Sequence, residues 1–302
     1  MSLVINNNMM AANTARNLNA HYSRLATSTQ RLSTGLRVNS AADDAAGLAI
    51  RELQRADIAA LHQGARNAND AISMIQTADG AMGVIDEKLI RLKELAEQAA
   101  TGTYDSTQRL MIESEYQAMA SEITRIANAT DFNGIHLLNG TLSGDHDGSG
   151  KSADDGISAT GKMKIHFGTG NDSAEDYYYI TIGSVTASSL GVGNQAAEGS
   201  DGFTVSTQEA AQKALNAINE AIVSKDKIRA HLGAMQNRLE NTITNLNVQA
   251  ENLQAAESRI SDVDVATEMT QFVRNQILTQ SAVAMLGQAN SLPQMAMQLI
   301  GG

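Results

Sequence analysis

Apolar positions fall into long helical stretches separated by one glycine-rich interval. From about Asn7 to Leu36, Leu18, Tyr22, Leu25, Thr29, Leu32 and Leu36 alternate spacings of four and three, which is a heptad seam. Ser33-Thr34-Gly35 breaks this helix. A second helix starts near Asp43 and carries Ile72, Ile75, Met82, Ile85, Leu89, Leu92, Ala96 and Ala99 to a stop at Thr101-Gly102. Unbroken, its roughly 58 residues would extend roughly 87 Å at about 1.5 Å per residue. A third helix spans about Ser106 to Ala129, with Ile112, Tyr116, Met119, Ile123 and Ile126 on one stripe.

The clearest pattern lies toward the C-terminus. Leu232, Leu239, Leu246, Leu253 and Ile260 recur every seven residues, with an alternate seam of Met235, Thr242, Gln249, Ala256 and Val263. This spacing predicts a coiled coil, weakened but kept in register by its polar positions. After Ser-Asp-Val-Asp-Val-Ala comes a last amphipathic helix with Met269, Phe272, Val273, Ile277, Val283, Ala284 and Leu286, expected to break near Pro293.

Between the helical arms, 13 of the 24 glycines lie from Gly140 to Gly202, with nine acidic residues against three basic ones. "MKIHF" (163–167) and "YYYITI" (177–182), joined by "GTGNDSAED", predict a β-hairpin with a long loop. Residues 141–160 are Gly, Ser and Asp with almost nothing apolar, so a loop is expected there. The two ends mirror each other: an outer amphipathic helix and an inner long heptad helix. The predicted fold is mainly α: a long antiparallel coiled-coil rod with paired termini and a small central β-hairpin.

Composition sharpens this picture. Aromatics make up 3% of the chain, Trp and Cys are absent, and Pro293 is the single proline, as suits long uninterrupted helices. Without disulfides, stability has to come from packing or assembly. The N-terminal sequence MSLVINNNMMAANTARNL does not read as a secretory signal peptide. No apolar run reaches the roughly 18 residues that cross a bilayer. A net charge of −11 disfavours nucleic acid. Neither nucleic acid nor membrane is therefore expected as a partner.

Chemistry is sparse. Asp43 and Asp44 are adjacent, but successive helical positions point about 100° apart, so they do not converge on one ligand. With Ser40 as N-cap they favour a helix N-terminus instead. The six histidines (His21, His62, His136, His146, His166 and His231) show no metal-ligand spacing. No nucleophile elbow, P-loop or dinucleotide fingerprint occurs, and no cofactor is expected. The outer helices pose the remaining question. As a two-helix hairpin they bury one seam and leave apolar surface over, and a non-closing contact between identical copies through such a surface builds a helical filament.

"LSTGLRVNSAADDAAGLAI" (32–50), "FNGIHLLNG" (132–140), "NRLENTITNLNVQAENLQAAESRISDVDVATEM" (237–269) and "QILTQSAVAMLGQANSLPQMAMQLI" (276–300) resemble, in order, the landmarks of bacterial flagellins. The resemblance covers roughly 1–140 and 162–302. It implies a non-enzymatic subunit that is secreted through the flagellar channel and polymerises into the extracellular flagellar filament for motility. Its partners would be further copies of itself, an export chaperone, the filament cap and hook-junction proteins.

In this reading, 1–42 and 263–302 are terminal helices of the inner filament core, disordered in the monomer. Their assembly residues are Leu18, Tyr22, Leu25, Leu32, Met269, Phe272, Val273, Ile277 and Leu286. Gly35, Arg37, Ser40, Asp43 and Asp44 form a connector, with Arg37 expected to bind a carboxylate on this or a neighbouring chain. Residues 43–140 and 162–262 form the rod and small β region, packed through Leu232, Leu239, Leu246, Leu253 and Ile260, and 141–160 stands in place of outer domains. The resemblance also implies recognition by host Toll-like receptor 5 through Arg91, Leu95, Gln98 and Glu115. Of these, Arg91, Leu95 and Gln98 are expected on one helix face. The alternatives are a hook–filament junction protein and, from another class, a secreted enzyme on a helical scaffold.

Overall fold

The computed structural model describes residues 8–142, 161–173, 175–197 and 199–300, leaving the side chains of 292–294 and 296–300 undescribed. Most of the expected 141–160 loop lies outside the described residues. The elements are α1 (Met9–Thr34), α2 (Ala45–Ala100), α3 (Ser106–Ala129), β1 (Asp131–Phe132), β2 (Ile135–His136), β3 (Met163–His166), β4 (Tyr177–Ile180), α4 (Ala187–Leu190), α5 (Gln208–Ser261) and α6 (Val265–Ile300). They group into two compact units, 1–58 with 251–302, and 59–250.

The larger unit holds the hydrophobic core. Its α2 line of Met82, Ile85, Leu89, Leu92 and Ala96 is fully buried with Ile123 and Ala127 of α3 and Leu232 and Leu239 of α5. Small and large side chains alternate here, which lets helices pack closely. The α2–α5 pairing is antiparallel. Arg229 Nε donates to Asp79 Oδ1 at 2.7 Å, and Lys225 Nζ to Asp86 Oδ1 at 2.5 Å, so numbers rise along α2 as they fall along α5.

The heptad holds at Leu232, Leu239 and Leu246, all buried. Its alternate seam drifts: Gln249 is exposed, while Ala250 is buried and Ile243 packs on the core. An amide is cheaper to leave in water than to bury without a partner.

The β-hairpin forms as expected, with Met163 opposite Ile180 and His166 opposite Tyr177. Phe167 then crosses α2 so closely that a Cβ on Gly64 would stand 2.0 Å from the Phe167 carbonyl oxygen. Only glycine permits that approach. Sequence patterning did not reveal the small hairpin β1–β2 or the short α4. Side chains of α3 hold α4 and the loop after it: the Ala187 N–H donates to Thr124 Oγ1, and Tyr116 OH donates to the Gly202 carbonyl at 2.8 Å.

In the smaller unit α1 packs on α6. The expected break near Pro293 does not occur; α6 continues through it. Proline has no N–H to offer the carbonyl four residues earlier, at Ala289. That carbonyl instead accepts a hydrogen bond from Asn8 Nδ2 at 2.8 Å.

Candidate assembly surface

Three sets of residues carry functional expectations: the connector, the α1–α6 hairpin, and the exposed face of α2 and α3.

The connector is built from main-chain pairing. Gly35 closes α1 in the left-handed region at φ +73°, and its N–H donates to the Arg31 carbonyl. The chain then runs antiparallel to the start of α6. The Arg37 N–H donates to the Ser261 carbonyl at 2.7 Å and the Val263 N–H to the Gly35 carbonyl at 3.0 Å.

Helix α2 begins at Ala45, so Ser40 is not its N-cap. Asp44 is, with Oδ1 accepting from the Gly47 N–H at 2.9 Å. Asp43 instead closes the preceding turn, accepting from the N–H groups of Asn39 and Ser40 and from the Ser40 hydroxyl. The Ser40 and Asn39 backbone donors, helped by that hydroxyl, hold the Asp43 carboxyl below the ordinary carboxylate range. On the returning strand Asp264 caps α6, and the Thr267 hydroxyl and N–H with the Ala266 N–H lower its carboxyl likewise. Arg37 takes no carboxylate among the described residues; its Nη2 donates to the Ile260 carbonyl at 2.7 Å, satisfying an orphan acceptor at the end of α5. Buried Arg51 donates to the Val38 carbonyl and tethers the same loop to α2.

The hairpin is unlike the core. Facing α1, α6 presents Glu268, Phe272, Asn275, Thr279, Ala282, Leu286 and Ala289, a heptad line in which only Phe272 and Leu286 are bulky and apolar. The α1 side offers half-buried Leu18, Leu25 and Leu32, buried Ser28, and His21, whose Nδ1 is buried without a partner. Tyr22 is 51% exposed and leaves the expected seam to His21, because the true inward positions are one residue earlier.

The expected C-terminal stripe is therefore split. Phe272 and Leu286 turn inward. Met269, Val273, Ile277 and Val283 stand outward, between 44% and 57% exposed, with Met285 at 61%. Among the described residues of the smaller unit nothing covers these outward apolar side chains.

On the α2–α3 face Arg91 donates to Glu115 Oε1 through Nε and Nη2 and to Glu94 Oε2 through Nη1, and Gln98 donates to the Tyr104 hydroxyl. These polar side chains are exposed. Leu95 is not: it is 1% exposed and belongs to the core, so the expected four-residue surface reduces to Arg91, Gln98 and Glu115. Leu95 lies about 40° from Arg91 around the helix, and that rotation carries it under α3. Among the described residues no cluster of three or more His, Asp or Glu side chains could hold a metal.

The terminal helices described above fall within two regions that match known proteins. Residues 5–143 match the bacterial flagellin N-terminal helical region, and residues 215–300 match the bacterial flagellin C-terminal helical region. The flagellar filament 33 kDa core protein of Treponema phagedenis is 40% identical over 298 residues, covering 99% of this chain and all of that one. Flagellin of Bacillus subtilis is 40% identical over 314 residues, covering 98% of this chain and 99% of its own. A crystal structure of Bacillus cereus flagellin is similar over 64% of this chain and 94% of its own, at 27% identity and a TM-score of 0.46. End-to-end identity at this level, on both matched helical regions, makes the chain a member of the bacterial flagellin family.

Proposed function

We propose that the chain is the repeating subunit of an extracellular flagellar filament, a structural and non-catalytic role, and that it polymerises through the outward face of α1 and α6. The observation that carries this is the exposure of Met269, Val273, Ile277, Val283 and Met285, spread over the outward side of α6, on a hairpin whose own seam is rich in polar side chains. Burying the exposed half of five such side chains contributes on the order of 5 kcal/mol per subunit. In this reading 1–42 and 263–302 form the inner core, while 43–140 and 162–262 form the surrounding helical layer. Passage through the flagellar channel, a chaperone, a cap and junction proteins belong to the same reading. Relatives described as filament core protein and flagellin favour the filament over the hook junction.

Seeding purified monomer with short filaments and sedimenting the product tests it. The unaltered chain is expected to elongate seeds, and Ile277→Asp with Val283→Asp to stop elongation while monomer helicity is unchanged. Failure of the unaltered chain to elongate, or full-rate elongation by the double variant, overturns the reading.

A second reading concerns Toll-like receptor 5. Arg91, Gln98 and Glu115 form an exposed polar patch held rigid by their own ion pair and hydrogen bonds, which suits recognition by a receptor. Arg91→Ala with Glu115→Ala is expected to weaken receptor signalling by folded monomer; an unchanged dose response refutes it.

A further inference from the structure

Charge is unevenly divided in this chain. Although the net charge is −11, α1 contains Arg16, Arg24 and Arg31 and no acid, and α6 contains Arg274 and one acid, Glu268. Every carboxylate side chain except Glu268 lies outside these two helices.

Three of the arginines line one open groove of about 450 Å³ between α1 and α6, where Arg24, Arg31 and Arg274 surround buried Ser28 and Glu268. Its polar network is incomplete. Arg31 Nη1 stands 3.7 Å from Glu268 Oε2, a loose pair, while Arg31 Nε and Glu268 Oε1 are both buried with no partner. Glu268 is only 6% exposed, so its free oxygen is held inside the groove rather than in water. Arg24 and Arg274 make no ion pair or hydrogen bond among the described residues. Native structures rarely leave a buried donor such as Arg31 Nε unpaired, and with three guanidinium groups against one carboxylate the groove carries a net positive charge.

We infer that this groove receives carboxylate side chains of a second copy of the chain, forming an electrostatic contact between filament subunits. The inference rests on the filament reading. Packing copies against the outward face of α6 takes the neighbouring guanidinium groups out of water, and an arginine removed from water needs a counter-charge. The hairpin has no carboxylate to spare, so the second copy's must come from outside its terminal helices. Asp57, Glu251 and Glu257, which have no cation partner among the described residues, are of the right kind. The planar forks of Arg24 and Arg274 suit bidentate carboxylate binding, and Arg31 Nε completes its own set on the same acceptor. The contact would set which copy docks and how it is staggered, while the apolar face supplies most of the association energy.

The test uses the full chain in seeded elongation. Arg24→Glu with Arg274→Glu is expected to slow elongation at least tenfold, with monomer helicity and melting unchanged. Arg24→Lys with Arg274→Lys retains the charge and is expected to elongate within about threefold of the unaltered chain. The native α1 and α6 contain no lysine, so a zero-length carbodiimide crosslink that peptide mass spectrometry maps to position 24 or 274 reports on the groove, apart from crosslinks of lysines elsewhere in the chain. It is expected to join position 24 or 274 to an Asp or Glu of another copy. Wild-type elongation by the Glu variant, or no coupling from either lysine, overturns the groove contact and leaves the filament reading standing. Failure of the unaltered chain to elongate seeds overturns that reading and the groove contact with it. If the Glu variant misfolds, the coupling result decides.

Discussion

The two antiparallel helix pairings of this chain, α2 with α5 and α1 with α6, put their apolar side chains in opposite places. In the larger unit, Leu89, Leu92, Leu232 and Leu239 are sealed inside, and the buried Lys225 is paired with Asp86 and Asp226. In the terminal hairpin the shared seam holds Ser28, Asn275, Thr279 and Glu268, while Ile277, Val283 and Met285 face water. The first arrangement is a finished fold. The second makes sense only when another surface covers it, because exposed aliphatic area and buried unpaired polar atoms both cost free energy in the isolated chain.

The same substitution placed in each region should separate them most strongly. Leu92→Ala opens a cavity in the closed core and is expected to cost about 2–5 kcal/mol in thermal or urea unfolding of the monomer. Val283→Ala removes outward methyls and is expected to change monomer stability by less than about 0.5 kcal/mol, yet to slow seeded elongation. Equal effects on monomer unfolding would erase the distinction.

A smaller effect concerns how the closed pairing keeps its register. Lys225 is 1% exposed and is held by Asp86 and Asp226. Asp86→Ala leaves the ammonium with one partner and is expected to cost roughly 2 kcal/mol in urea unfolding. Lys225→Met removes the buried charge and is expected to be near neutral. The reverse ranking would mean that the ion pair itself, rather than the cost of an unpaired charge, stabilises this site.

The smallest effect lies at the connector. The carboxyls of Asp43 and Asp264 titrate below their unfolded values because they accept hydrogen bonds. Their contribution is therefore complete above the unfolded value and is lost as pH falls through the folded one. Below about pH 4 the amides of Ser40 and Ala266 are expected to exchange faster relative to their intrinsic rates, while amides in the middle of α2 hold. Asp43→Asn should abolish the pH dependence at Ser40; an unchanged profile would remove Asp43 from the role.

Much of this was legible in the sequence. The leucine line from Leu232 to Leu246 and the α3 stripe follow from spacing, and the hairpin around 163–180 from strand-type residues and turn chemistry. The errors share a cause. Tyr22 against His21 and Gln249 against Ala250 are shifts of one position around a helix, and Leu95 against Arg91 is a rotation of about 40°. A period of 3.6 does not divide seven, so the inward line of a long helix drifts and only its neighbour fixes where it lies. Ser40 and Asp44 both suit the N-cap of α2 by residue type, and backbone geometry alone chooses Asp44. The uninterrupted passage through Pro293 depends on Asn8, which is distant in sequence and invisible to any local rule.

By itself, then, the sequence determined the long helices, their glycine-rich interruption, the lack of disulfides and the landmarks of a flagellin. It did so because heptad spacing, proline avoidance and turn chemistry are local properties. Tertiary structure decided which flank of each helix is inside. It buried Leu95, turned Ile277 and Val283 outward, and gathered Arg24, Arg31 and Arg274 around Glu268. Those outcomes depend on the partner helix, whose position no local pattern encodes.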